Sequence, residues 1–263
     1  MIWVRSIVFY LAATLVVVFF GLLGVFLRPF SPFLRHYVVT RWTHFTLWWL
    51  EKCCDLRYRV TGRENIPTGP AVILANHQSA WETLAFQAIF PPHVWVLKRN
   101  LLWVPFFGWG LAALSPIAIR LNGGSRALRQ VLTQGTERLR LGFWVLIFPE
   151  GRRVSPLETR DYAGGGAALA KHARCPVVLV AHNAGLFWAK RSVLKHPGVI
   201  DVVIGPILDP QHKSARQITE IAQEWIERTS KSLLSGQPGS EQVPHLGNGR
   251  ATEKQEVSEA PVD

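Results

Sequence analysis

From Ser6 to Leu27 the chain runs for 22 residues without a charge, SIVFYLAATLVVVFFGLLGVFL. As a helix this stretch covers roughly 30 Å, about the thickness of a bilayer's hydrocarbon core. A helix apolar all round is not one face of an ordinary surface element, so the stretch predicts a membrane-anchoring N-terminus. Arg5 precedes it, and Arg28, Arg35 and Arg41 follow. That surplus of arginine after the run places the C-terminal side in the cytoplasm. A cleaved signal peptide is the rival reading. No small-x-small cleavage site follows, however, and the product would begin at Arg28-Pro29. A spanning helix and a re-entrant or surface-lying helix both fit residues 6–27.

Residues 31–54 are rich in rings: Phe33, Trp42, Phe45, Trp48 and Trp49 recur at spacings of three and four, which predicts a helix. Such a helix either packs on the core or lies among lipid headgroups, with Arg35, Arg41 and His44 reaching phosphates. Residues 1–55 are thus expected to form a membrane-associated helical segment. After the turn-rich link TGRENIPTGP, apolar runs near 71–75, 94–97, 117–119, 143–147, 177–181 and 199–204 read as strands. Periodic stretches near 79–90, 101–113, 124–140, 164–173 and 213–234 read as helices. This alternation predicts an α/β domain over 56–235, a mixed sheet flanked by helices. In such folds chemistry collects in loops at the carboxyl ends of strands. Residues 236–263, with Pro, Gly, Ser and Glu and few apolar side chains, are expected to be a disordered tail.

The net charge of +11 is unevenly spread. The tail from Gly236 holds five acids against two bases, so the preceding 235 residues carry +14. Such an excess selects an anionic partner, and eleven tryptophans favour a bilayer interface among the candidates. Lys and Arg are scattered over loops with no groove-reading motif, which argues against nucleic acid. Three cysteines, Cys53 and Cys54 adjacent, make no disulfide framework, and no Cys/His cluster marks a metal site. They read as inert thiols in a reducing compartment.

The stretch ANHQSAWET, Ala75 to Thr83, ends an apolar strand on Asn-His and opens a helix on Ser-x-x-Glu. One reading is structural: Ser79 and Glu82 form a capping box, and His77 is a loop histidine. The other is chemical. A histidine just outside a helix and an acid inside its first turn can meet across that turn. The carboxylate then accepts the Nδ1 proton and leaves Nε2 to deprotonate a hydroxyl. Cations gather at neighbouring strand ends: Glu150-Gly151-Arg152-Arg153 after FWVLIFP, Lys98 and Arg99 after another strand, and Arg120 ending PIAIR. Arginines so placed grip a phosphate bidentately, or they belong to solvated turns.

Taken in order, these stretches resemble the glycerolipid acyltransferase family, most closely bacterial 1-acylglycerol-3-phosphate acyltransferases, from about Val60 to Leu208. NHQSAWET is similar to the family's His-x4-Asp block, with Glu82 standing where an Asp is usual. The resemblance implies His77 as general base and Glu82 as its partner. FPEGRR is similar to Phe-Pro-Glu-Gly-Thr-Arg, with Arg152 replacing the threonine. It implies a phosphate-acceptor site at Glu150, Gly151 and Arg153, joined by Arg120, Lys98 and Arg152. Cys175 to Asn183 looks like the family's Val-Pro-Val strand, with His182 structural. The implied reaction moves an acyl group from acyl carrier protein or coenzyme A to the sn-2 hydroxyl of lysophosphatidate, giving phosphatidic acid. It needs no metal or further cofactor. The implied place is the bacterial cytoplasmic (inner) membrane, with the catalytic domain facing the cytoplasm. An acyltransferase for another acceptor, such as a lyso-ornithine lipid, fits the same motifs. A non-catalytic binder of anionic lipid fits the charge but not the His77–Glu82 pair.

Overall fold

The computed structural model describes residues 1–120 and 123–235, and the tail expected at 236–263 lies outside the described residues. Three helices come first: α1 (Ile2–Phe26), α2 (Pro32–Val39) and α3 (Arg41–Cys54). Strands and helices then alternate as β1 (Leu56–Thr61), β2 (Val72–Ala75), α4 (Trp81–Ile89), β3 (His93–Lys98), α5 (Phe107–Ala113) and β4 (Ile117–Ile119). They continue as α6 (Gly124–Arg140), β5 (Trp144–Ile147), α7 (Gly165–Ala173), β6 (Val177–His182), β7 (Gly198–Ile204) and α8 (Ala215–Leu234). The sheet has the order β1-β7-β6-β2-β5-β3-β4. Every neighbouring pair is parallel except β6 with β7, so the sheet is mixed, as expected.

Alternation along the strands divides the core into two layers. Ile73, Trp95, Leu146 and Val178 face a layer built with Phe9 of α1, Leu47 and Leu50 of α3, and Trp81 and Phe86 of α4. Val72, Leu74, Val145, Val177 and Leu179 face α6, α7 and α8 through Val131, Leu169 and Trp225. Helices of the segment 1–55 therefore share one apolar layer with the sheet. Trp81 and Phe86 are fully buried, and each contributes roughly 1.5–3 kcal/mol by burial. That anchors α4 rigidly behind its N-terminus.

Three expectations are corrected. The sequence reading passed over β1, whose LRYRVT alternates apolar and basic residues because it is an edge strand with one wet face. Its Arg59 pairs with Asp201 of β7 at 2.7 Å. The helix expected over 31–54 is two helices, broken at Thr40. The Thr40 hydroxyl donates to the His36 carbonyl (2.7 Å), and side chain-to-backbone bonds of this kind compete with helix continuation. The helix expected over 101–113 is split by Pro105 into a 3-10 turn, Arg99–Trp103, and α5.

Helix α1 is long and apolar enough to cross a membrane, yet it lies along the domain rather than standing off it. Near its start the Ser6 hydroxyl accepts from the Lys195 amide (3.0 Å), and the buried Lys195 ammonium sits over the Tyr10 ring at 3.8 Å and the Trp188 ring at 4.2 Å. Near its end Gly21 packs on α5. A Cβ there would stand 2.3 Å from the Phe106 carbonyl oxygen. Gly21→Ala is therefore expected to cost about 1–3 kcal/mol through overpacking. Thermal melts of the solubilised protein check this against Gly69→Ala, whose Cβ meets nothing within 4 Å.

Candidate active site

Strands β6, β2, β5, β3 and β4 run parallel, so their carboxyl ends share one edge, where ligands of α/β folds bind. The loop after β2 is fixed first. Asn76 Nδ2 donates to the His182 carbonyl (2.9 Å), and Asn76 Oδ1 accepts the His182 amide (3.1 Å), which ties the ends of β2 and β6. The His182 ring is fully buried and donates from Nε2 to the Asn76 carbonyl (2.9 Å). Burial pushes its pKa down, against the pull of Glu82 and the Asn76 bond, so it serves as a neutral structural clamp.

His77 comes next. Its Nδ1 donates to Glu82 Oε1 at 2.8 Å, across the first turn of α4. The same carboxylate accepts the main-chain N–H of Gln78 (3.0 Å) and of Ser79 (2.8 Å). Glu82 is fully buried. Burial works to raise its pKa, but the bond from His77, the electrostatic pull of the His182 and His77 imidazoles and the Ser79 amide overcome this and hold it below the ordinary carboxylate value. With Nδ1 committed to an ionised acceptor, Nε2 is the ring nitrogen left for a substrate hydroxyl.

The capping box is only half formed. Glu82 reaches back to the Ser79 amide, but the Ser79 hydroxyl accepts from Trp81 N (3.1 Å), two residues on. The turn closes early because Glu82 also draws in Gln78 and His77. Ser79 is fully buried in that role and is not presented as a nucleophile.

The segment after β5 holds His77 from another side. Phe148 stacks on the imidazole, with centroids 4.1 Å apart and planes inclined by 13°. Val154 N donates to the His77 carbonyl (2.7 Å), and Glu150 Oε2 accepts the His77 amide (3.1 Å). Sequence reasoning had not assigned these contacts. One signal was available: Phe148 shares the parity of Leu146, which puts it on the α4 side of the sheet.

Gly151, with φ +69°, turns the segment, and Arg152 and Arg153 follow it. Arg152 is ion-paired with Glu158 at 3.2 Å. Arg153 is half-buried, makes no ion pair among the described residues, and acts electrostatically on Tyr10 of α1. Lys98 and Arg120 are exposed at the ends of β3 and β4. At roughly 4.8 Å per strand, β5 adjoins β2, whereas β4 stands about 14 Å from it. His77, Glu82, Phe148 and Glu150 thus touch, Arg153 belongs to the adjoining loop, and Lys98 and Arg120 sit farther along the same edge.

A family model described as Acyltransferase matches residues 57–183, which contain all of these side chains. A 1-acyl-sn-glycerol-3-phosphate acyltransferase of Pseudomonas aeruginosa is 43% identical over 244 residues, covering 92% of this chain and 95% of that protein. An Escherichia coli enzyme of the same name is 28% identical over 158 residues, 59% of this chain and 63% of that one. Among solved structures, the Thermotoga maritima 1-acyl-sn-glycerophosphate (LPA) acyltransferase PlsC shares the fold, with a TM-score of 0.73 over 88% of this chain and 95% of that chain, at 23% identity. Identity of 43% sustained across nearly the whole length leaves one assignment: this chain belongs to the Acyltransferase family, and it is an acyltransferase.

Proposed function

We propose that the chain transfers an acyl group from a thioester of coenzyme A or acyl carrier protein to the sn-2 hydroxyl of 1-acylglycerol-3-phosphate, forming phosphatidic acid. The observation that carries this is the 2.8 Å bond between His77 and Glu82 beside Arg153, which makes no ion pair among the described residues. The name of the Pseudomonas relative supports the choice of acceptor. His77 Nε2 takes the hydroxyl proton as the oxygen attacks the thioester carbonyl carbon. The tetrahedral intermediate collapses with loss of thiolate, which recovers the proton from the imidazolium. Thiolate is a good enough leaving group that the step asks for neither a metal nor a covalent enzyme intermediate. Arg153 grips the acceptor phosphate, with Arg120 and Lys98 along the edge, and Arg152 joins only by leaving Glu158.

The membrane supplies the acceptor. The exposed α1 stripe of Leu11, Leu15, Phe19, Leu22 and Phe26, with Phe45 and Trp48 of α3, supports a domain resting on the bilayer. Because α1 is fastened at both ends, α3 and α5 approach the lipid with it. The side is the cytoplasmic face of a bacterial inner membrane, where thioester donors are made.

Purified protein given a panel of lyso-lipids with each thioester donor, scored by mass spectrometry, tests this reading. Phosphatidic acid from lysophosphatidate is the expected dominant product, and faster turnover of a lyso-ornithine lipid overturns it. Arg153→Ala is expected to raise the acceptor KM about 10–100-fold, the loss of charge-assisted bonds worth about 1.5–3 kcal/mol. The donor KM stays unchanged, and a rise in donor KM alone reassigns the residue.

A further inference from the structure

Among the motif residues, Glu150 buries its carboxyl against the main chain of His77. After β5 the chain bends at Gly151, and the Gly151 amide donates back to the Phe148 carbonyl (3.1 Å). The bend buries Glu150, leaving it 8% exposed, and brings its Oε2 within 3.1 Å of the His77 amide. Val154 closes on the His77 carbonyl from the other end of the same segment (2.7 Å). Both main-chain groups of His77 are thus held by one loop, while Phe148 fixes the plane of its ring. Behind Glu150 lies a small polar cleft lined by Asn76, Gln78, Tyr162 and Ser230. The buried Tyr162 hydroxyl has no hydrogen-bond partner.

We propose that Glu150 is a positioning residue that holds the His77 main chain as a neutral carboxylic acid, and that it binds no part of the acceptor. The inference rests on His77 being the base. An acid in this place keeps one oxygen for the His77 amide and offers its O–H to the cleft. An anion there faces three other carboxylates, Glu82, Glu158 and Glu227, against the cations Arg160 and Lys231. The groups around it are His77 and Glu82 on the β2–α4 segment, Glu158, Arg160 and Tyr162 on its own loop, and Glu227 and Lys231 on α8. Burial first, then the charges of Glu82, Glu227 and Glu158, push its pKa up to about 8, against the pull of the His77 amide.

Two variants and two readouts test the proposal. Glu150→Ala is expected to lower kcat at pH 7 at least tenfold with the acceptor KM unchanged. Glu150→Gln, which keeps an oxygen for the His77 amide and never ionises, restores kcat at pH 7 to within about threefold. It also removes the part of the activity decline above pH 8 that comes from ionising the acid. The second readout is stability, and it does not depend on chemistry at His77. The folded pKa lies above the unfolded carboxylate value, so between about pH 4.5 and 8 the native state holds a proton that the unfolded chain has lost. Wild-type stability therefore declines across that window and levels above pH 8. The melting temperature of Glu150→Gln relative to wild type rises over the same window. A raised acceptor KM in Glu150→Gln, an inactive or unfolded Glu150→Gln at pH 7, or a pH-independent difference in melting temperature overturns the proposal. Normal turnover by His77→Ala overturns the mechanism instead, and leaves the melting signature to be judged by itself.

Discussion

His77→Ala lowers kcat by about 10²–10⁴-fold, the contribution of a positioned general base. The acceptor KM changes little, because in the proposed mechanism the imidazole meets the hydroxyl and not the phosphate. The variant folds, since alanine keeps the two main-chain bonds by which the β5 segment grips this position, to Glu150 and Val154. Glu82 loses its bond from the ring but keeps the amides of Gln78 and Ser79, so its charge is not stranded. The structural loss is one charge-assisted hydrogen bond, about 1.5–3 kcal/mol, and the stack on Phe148, about 0.5–1.5 kcal/mol. That leaves a purifiable, membrane-bound protein in which turnover alone has collapsed. Single-turnover measurement with saturating thioester and lysophosphatidate separates the chemical step from product release. Turnover within a few-fold of wild type ends the assignment of His77 as base and returns it to being a loop histidine.

The parts of this site that were legible in the sequence are the local ones. His77 and Glu82 are five residues apart, and the turn between a strand end and a helix start is geometry that spacing determines. Strand parity and helix period gave the layers, because burial writes them directly into the pattern. The grip on His77 was not legible. Glu150 is 73 residues from it, and their meeting depends on β5 lying beside β2 although β3 and β4 intervene in the chain. The resemblance implies Glu150 in a phosphate site beside the arginines, while its carboxyl meets the His77 amide. Between Glu150 and Arg153 the chain turns at Gly151, whose φ is positive. The docking of α1 was hidden for another reason. Hydropathy measures how apolar the helix is, while its seat on α5 is made by Gly21, which contributes nothing to that measure.

Glu82→Gln is expected to lower kcat by about 10²–10⁴-fold as well, for a different reason. Glu82 receives three N–H donors, all on Oε1, and the Ser79 N–H also reaches Oε2 at 3.1 Å. Glutamine has one acceptor oxygen, and with that oxygen in the Oε1 place its NH₂ faces the Ser79 N–H. The imidazolium formed in the reaction then loses its counter-charge. Stability falls by about 1–3 kcal/mol, the cost of leaving buried donors unmade. A purely structural Glu82 predicts that stability loss with kcat nearly intact, so the two measurements together separate the readings. The pH dependence gives a further sign. The folded pKa lies below the unfolded value, so the carboxylate contributes fully above about pH 4.5, and that contribution is lost as pH falls through the folded value. Wild type therefore loses stability in acid more steeply than Glu82→Gln. Glu82→Asp keeps the charge but is one methylene shorter. The His77 ring and both amides meet one oxygen, so the shorter side chain gives up one of the three. If it gives up His77, kcat falls while the acid limb of the stability curve stays; if it gives up an amide and keeps His77, kcat stays near wild type, as the Asp usual at this place in the His-x4-Asp block implies.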